Sequence, residues 1–175
     1  MVKSFKKCLS TIVAIAFLSG PILAEDSRPD IIIAVDNLWK TMDPVIGIST
    51  TGGRVHSNIF DTLVRRNRWE DPNGNTLVPW LAESWTRKSD FVWEFKLREG
   101  VKFHDGHEMD ADDVAFSLSA ERLWGEKPIA RRGTRYARGI TRVEATGAYK
   151  FEIETSFPDP NMPYRLVTPI GFVLH

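Results

Sequence analysis

The sequence predicts a mixed α/β layer fold, and three observations carry that expectation. Phe91, Trp93, Phe95 and Leu97 alternate with Val92, Glu94, Lys96 and Arg98, which reads as a strand with one apolar and one mainly polar face. Ala111, Val114, Ala115 and Leu118 recur at helical spacing behind Asp110, a residue suited to cap a helix. Residues 140–145 and 149–154 flank Thr146-Gly147 as a hairpin, its second limb alternating Tyr149, Phe151 and Ile153. The order strand, helix, strand pair, helix, hairpin excludes a doubly wound sheet. A hydrophobic content of 42% excludes disorder for most of the chain.

In chain order, the first segment is a targeting signal. Lys3, Lys6 and Lys7 precede an apolar run from Cys8 to Leu18, Gly20-Pro21 breaks it, and Ala24 offers a cleavage point before Glu25. The run is too short to span a bilayer as a helix. Residues 1–24 are therefore expected to be a signal peptide. They hold the single cysteine, Cys8, so residues 25–175 can form no disulfide. They also hold three lysines and no acid, which leaves 20 basic against 23 acidic residues. That balance gives no argument for nucleic acid or an anionic membrane as partner.

Residues 31–35, IIIAV, read as a buried strand. Met42-Asp43-Pro44 reads as a turn, because Pro44 keeps Asp43 out of helical angles. A Gly/Ser/Thr loop spans 47–53, and Val55, Ile59 and Leu63 predict a helix over about 54–64. The charged run 65–76 ends in the turn signal Pro72-Asn73-Gly74. Residues 77–86 read as a short helical turn or loop, and 101–103, VKF, as a short strand after Glu99-Gly100.

The densest polar stretch is VKFHDGHEMDADDVAFSL, residues 101–118. A zinc hydrolase would place two histidines four apart on a helix with glutamate after the first. His104 and His107 are three apart, with Glu108 beside His107 and a Gly between the two histidines. A calcium loop starting at Asp110 would have Val114 and Ala115 where a ligand and a glycine are needed. The plainer reading is helix-start chemistry: Asp110 is the N-cap, and Asp112 and Asp113 sit in the first turn, where carboxylates suit the dipole. No metal and no cofactor are expected.

The pattern Phe103-His104-Asp105-Gly106, then Ala111, Asp113-Val114 and Phe116-Ser117-Leu118, resembles the signature of bacterial extracellular solute-binding proteins of family 5. These are the oligopeptide-, dipeptide- and nickel-binding components of ABC importers. Met42-Asp43-Pro44, Ile59-Phe60-Asp61-Thr62-Leu63, Pro79-Trp80-Leu81-Ala82-Glu83-Ser84-Trp85 and Trp93-Glu94-Phe95-Lys96-Leu97-Arg98 follow the family's order. The resemblance implies a mixed α/β fold that is part of the first lobe of a two-lobed periplasmic binding protein. It makes 25–175 the N-terminal part of that lobe, without the second lobe.

That resemblance implies a periplasmic protein that is not an enzyme. It would carry a peptide or similar small solute to ABC permease subunits at the inner membrane. The loop after the Asp-Pro pair reaches the ligand in peptide-binding relatives, which implicates Ile48, Thr50 and Thr51. Trp80, Trp85 and Trp93 are expected to pack, while Trp39 and Trp124 are less constrained. Arg131, Arg132, Arg135, Arg138 and Arg142 form a basic run that could face an acidic ligand or solvent. The rival readings are a non-binding remnant of such a protein and a periplasmic metal-dependent hydrolase using His104, His107 and Glu108. N-terminal sequencing of the protein recovered from the periplasm is expected to start at or next to Glu25. Recovery of only the uncleaved chain in the cytoplasm would contradict this.

Overall fold

The computed structural model describes Ile32, Ala34, Val35, Leu38 and residues 40–175. The chain divides into two compact units, residues 1–34 and 35–175, and all the helices and strands of the described residues lie in the second. The expected signal peptide lies outside the described residues, as do Ile31 and Ile33 of the expected first strand. The described members of that stretch, Ile32, Ala34 and Val35, are exposed and outside any strand, which corrects the expectation of a buried strand there.

Four strands form the main sheet: β3 (Ala82–Arg87), β4 (Val92–Leu97), β5 (Ile140–Gly147) and β6 (Lys150–Thr155). They pair antiparallel throughout in the spatial order β3-β4-β6-β5. β4 is the strand that alternation predicts, and Phe95 and Leu97 are fully buried on its apolar face. Phe95 sits directly opposite Phe151 of β6, with the rings stacked at 5.0 Å and 8°. Such an aromatic cross-strand pair locks register, because a one-residue slip of either strand would put the two rings on opposite faces of the sheet. The predicted hairpin is present, with its turn at Ala148-Tyr149, two residues later than Thr146-Gly147 suggests.

The opposite face of the sheet is charged. Glu94, Glu152 and Glu144 stand side by side across β4, β6 and β5. Like charges directly opposite one another destabilise a sheet. Lys88 relieves them with contacts of 3.4 Å to Glu94 and 3.0 Å to Glu152. Arg142 does the same from the other side, pairing with Glu144, with Glu152 at 3.8 Å and with Glu154 at 2.9 Å.

A second, two-stranded sheet corrects two expectations. β1 (Val64–Arg66) pairs with β2 (Leu77–Pro79), so the run 65–76 joins two strands and residues 77–86 are not helical. The Asp71 carboxylate closes the connection by accepting from the backbone N–H groups of Asn73, Asn75 and Thr76 at 3.1, 2.8 and 2.8 Å. This is the local side-chain capping that Asp offers a turn. Pro79, with no N–H to donate, ends β2.

The helix expected over 54–64 runs instead over α1 (Thr50–His56). Ser49 caps it by accepting from Gly52 N at 2.9 Å, a signal hidden in what reads as a Gly/Ser/Thr loop. Gly52 cannot be larger: a Cβ there would lie 2.4 Å from the Gly47 carbonyl oxygen. Of the predicted stripe, Leu63 is buried beyond the helix end and Ile59 is 36% exposed. VKF likewise makes one isolated bridge, Lys102 to Glu108, rather than a strand.

α2 (Ala111–Ser117) starts as predicted. Asp110 accepts from Asp112 N and Asp113 N at 2.9 and 3.2 Å, and Asp113 accepts from Asp110 N at 3.0 Å. That reciprocal arrangement satisfies orphan donors at both ends of the first turn. Ala111, Val114 and Leu118 are buried, and the helix packs against β5 and β6. A π-helical turn at Ala120–Trp124 follows, and α3 (Met162–Arg165) closes the core with Met162 and Leu166. Asp110→Ala is expected to lower stability by roughly 0.5–2 kcal/mol in denaturant unfolding, the range for losing an N-cap. No measurable loss would contradict the capping role.

Candidate functional site

Two regions gather chemistry-bearing side chains. The first starts from the Asp43-Pro44 turn. Asp43 Oδ1 accepts from Val45 N and Ile46 N at 2.8 and 2.9 Å, which fixes the turn. Its Oδ2 pairs with Arg122 at 3.0 Å, the side chains being 17% and 8% exposed. Removing one partner would leave the other charge buried and unpaired, so this pair ties the turn firmly to the π-helical segment. The basic run packs on the same turn through Gly133, where a Cβ would meet Val45 Cγ1 at 2.4 Å. Ala130 and Ala137 are buried on either side of it. The run is therefore anchored rather than freely solvated, and it carries Arg131, Arg132 and Arg135 to Ile48.

Those three arginines and Ile48 line a surface pocket of about 310 Å³. Arg132 donates to the Ile48 carbonyl at 2.8 Å. Arg135 donates to Tyr136 Oη at 2.6 Å and lies over that ring at 4.5 Å. Of the sequence candidates, Ile48 is partly buried, Thr50 is exposed, and Thr51 is 7% exposed inside the first turn of α1. Arg138 is exposed, and Arg142 belongs to the charged face of the sheet.

The second region surrounds the turn at 103–107. A cleft of about 320 Å³ has Ile59, Phe60, Leu81, Val101, Phe103 and Met109 among its walls, with Asp105 and His175 also lining it. His104 lines the same cleft, yet it stands apart from the group that His107 joins. His107, Asp113 and His175 place one donor atom each within 4.8 Å of the others. Asp113 Oδ1 lies 3.1 Å from His175 Nδ1, and its Oδ2 lies 3.8 Å from His107 Nε2. The two imidazoles stack at 3.9 Å and 15°, and Phe103 stacks on His175 at 5.3 Å.

The triad His104, His107 and Glu108 is thus not assembled. Glu108 faces away into its own contacts, accepting from Tyr149 Oη at 2.6 Å and from Gly100 N at 3.1 Å. The Tyr149 hydroxyl, more than anything else, holds the Glu108 carboxyl below its ordinary pKa, and the same bond raises that of Tyr149. His175 is invisible to sequence reasoning. It lies 62 residues from Asp113 and belongs to no motif. The terminal segment delivers it, held by the bridge from Phe172 to Thr62 and by Ser117 Oγ, which accepts from Leu174 N at 2.8 Å.

Of the three tryptophans expected to pack, two do, and Trp69 is 98% exposed. Trp85 and Trp93 lie against the core, and Trp93 donates to the Asp159 carbonyl at 2.9 Å. Trp124 joins them, donating to the Leu118 carbonyl at 2.7 Å. Trp80 is 38% exposed instead, donating to Asp61 at 2.8 Å with Arg65 over its ring. Trp39 lies outside the described residues. Among the described residues no helix is long and apolar enough to cross a membrane.

The chain's likeness to known proteins agrees with this fold. Residues 76–175, more than half of the chain, match the family "Bacterial extracellular solute-binding proteins, family 5 Middle". The chain belongs to that family. The HTH-type transcriptional regulator SgrR of Salmonella typhimurium is 32% identical over 108 residues, 62% of this chain and 17% of that protein. Di/tripeptide-binding protein 2 of Pseudomonas aeruginosa is 32% identical over 119 residues, 59% of this chain and 22% of that protein. The structure of the A. tumefaciens R10 binding protein AgaA, in complex with agropinic acid, superposes with a TM-score of 0.66 at 28% identity. That match covers 78% of this chain and 26% of AgaA. The chain thus spans about a fifth of the length of the curated relatives and reproduces part of a periplasmic binding protein fold.

The Glu108–Tyr149 bond has a pH signature. A carboxyl whose folded pKa is depressed contributes stability above its unfolded value, about 4.3, and loses it as pH falls through the depressed one. In Tyr149→Phe the Glu108 titration, followed by carboxyl NMR, is expected to move back up toward the ordinary glutamate value. An unchanged titration would remove Tyr149 as the cause.

Proposed function

We propose that this chain supplies part of the solute-binding component of an ABC importer. In this reading residues 1–24 direct export to the periplasm, and 25–175 belong to the first lobe. The solute is a peptide or similar small molecule, handed to permease subunits at the inner membrane. The family match over residues 76–175 carries the reading, and the 32% identity to a di/tripeptide-binding protein favours peptides.

Ile48 and Thr50 are the proposed contacts from the loop after Asp43-Pro44, with Arg131, Arg132 and Arg135 presenting guanidinium groups to a solute carboxylate. Thr51, being buried, would act by fixing the start of α1. A ligand site of good affinity buries about 70–90% of a small ligand, and the pocket at Ile48 is an open surface feature. A second wall is needed, so the full site forms only when a facing lobe closes over this one.

The test is a chimera in which residues 25–175 replace the matching segment of Di/tripeptide-binding protein 2. Calorimetry with a pool of di- and tripeptides is expected to show saturable binding by the chimera and none by the chain alone. Arg132→Ala in the chimera is expected to weaken binding by about tenfold, the scale of one charge-assisted hydrogen bond. A chimera folded by circular dichroism that binds no peptide would overturn the peptide reading.

A further inference from the structure

We infer that His107, Asp113 and His175 form a binding site for a divalent transition-metal ion of the zinc type, independent of solute binding. Two imidazole nitrogens and one carboxylate oxygen are a donor set suited to Zn²⁺ and its neighbours Ni²⁺ and Cu²⁺. They come from three separate stretches: the turn after Phe103, the first turn of α2, and the terminal segment. Their spacing is already close to that of ligands on one ion. With metal–ligand lengths near 2.0–2.1 Å, donors around a tetrahedral centre stand roughly 3.3 Å apart. Asp113 Oδ1 lies 3.1 Å from His175 Nδ1 and its Oδ2 lies 3.8 Å from His107 Nε2, and one donor atom from each of the three residues lies within 4.8 Å of the others.

Asp113 is the fixed point of the set. Its side chain is 10% exposed, and Oδ2 is held by Asp110 N. The imidazoles, 45% and 42% exposed, are free to adjust. They must do so, since an ion lies in the plane of each ring that binds it and these rings are stacked nearly parallel. Binding therefore requires one ring to turn about its Cβ–Cγ bond so that both lone pairs face one point beside Asp113.

Asp105 completes the arrangement from behind. Its Oδ2 lies 3.9 Å from His175 Nε2, on the far side of the ring from Asp113. With the ion on Nδ1, the ring proton would reside on Nε2, and an approach of about 1 Å would let it donate to Asp105. That is the carboxylate–histidine–metal relay that orients ligating imidazoles in metal sites generally. Water fills the remaining coordination position, as the exposed rim of the neighbouring cleft allows. The sequence alone argues against a metal at His104, His107 and Glu108, and the geometry agrees about those three. His107 is joined instead by Asp113 and His175.

The experiment is calorimetric titration of Zn²⁺ into the purified full chain, free of any polyhistidine tag. We expect one ion per chain, with a dissociation constant below roughly 100 μM. His107→Ala and His175→Ala should each abolish saturable binding. Asp105→Asn, which keeps the oxygen that accepts from His107 N, should weaken binding by about tenfold or more. His104→Ala, three residues from His107 but outside the donor set, should leave it unchanged. Both exposed histidines can be removed without opening the core, and unchanged far-ultraviolet circular dichroism verifies that. Absence of saturable binding in the unsubstituted chain, persistence of binding in the His107→Ala/His175→Ala double variant, or equal loss in His104→Ala would each overturn the proposal. In those cases the His175–Asp113 contact only anchors the terminal segment.

Discussion

The pairing of β4 with β6 is the constraint on which the rest of the structure hangs. Each strand has a sequence neighbour to pair with, β3 and β5 respectively, and the two hairpins are joined in one sheet by the β4–β6 ladder, which runs from Val92–Glu154 to Lys96–Lys150 and carries the Phe95–Phe151 stack. That one contact surface loops out residues 98–149 between the strands. Everything with functional interest in that loop inherits its position from the pairing. Ala111 N, for instance, donates to the Ala148 carbonyl at 2.8 Å, so the start of α2 is fixed by the tip of the β5–β6 hairpin. A register slip would move α2, the Asp113 carboxylate and the basic run together.

The elements legible in the sequence are those whose signal is local and periodic. β4, α2 with its Asp110 cap, and the β5–β6 hairpin follow from alternation, capping and turn chemistry. The departures have physical causes. α1 lies earlier than its apolar stripe suggests because its cap, Ser49, sits among residues that look like a flexible loop, while Gly52 is there for a close backbone approach to Gly47. β1 and β2 escape sequence reading because three-residue strands have no measurable period, and the Asp71 turn that joins them is organised by one side chain. The strand expected at 101–103 shrinks to one bridge because its partner, Glu108, follows immediately in the same turn.

The candidate sites are half legible for a similar reason. The loop carrying Ile48 and the basic run are both visible as stretches, and so is the cluster around His107. What cannot be read is which stretches meet. The basic run reaches Ile48 only because Asp43 and Arg122 form a buried pair and Gly133 lets the chain pack on Val45. His107 gains a second imidazole only because the terminal segment bridges to Thr62 and bonds to Ser117. Such juxtapositions are set by tertiary packing and leave no trace in spacing.

The row of glutamates across the sheet has a further consequence. Among the described residues β5 pairs on one side only, so its outer backbone groups form an open edge, the usual template for strand addition between molecules. The same Arg142 that neutralises Glu144, Glu152 and Glu154 stands on this edge, beside Glu144 and exposed Thr141. A strand arriving to extend the sheet would have to desolvate these charges and would break the ion pairs that hold the glutamate row together. Electrostatic relief within the sheet therefore doubles as protection against self-association along it.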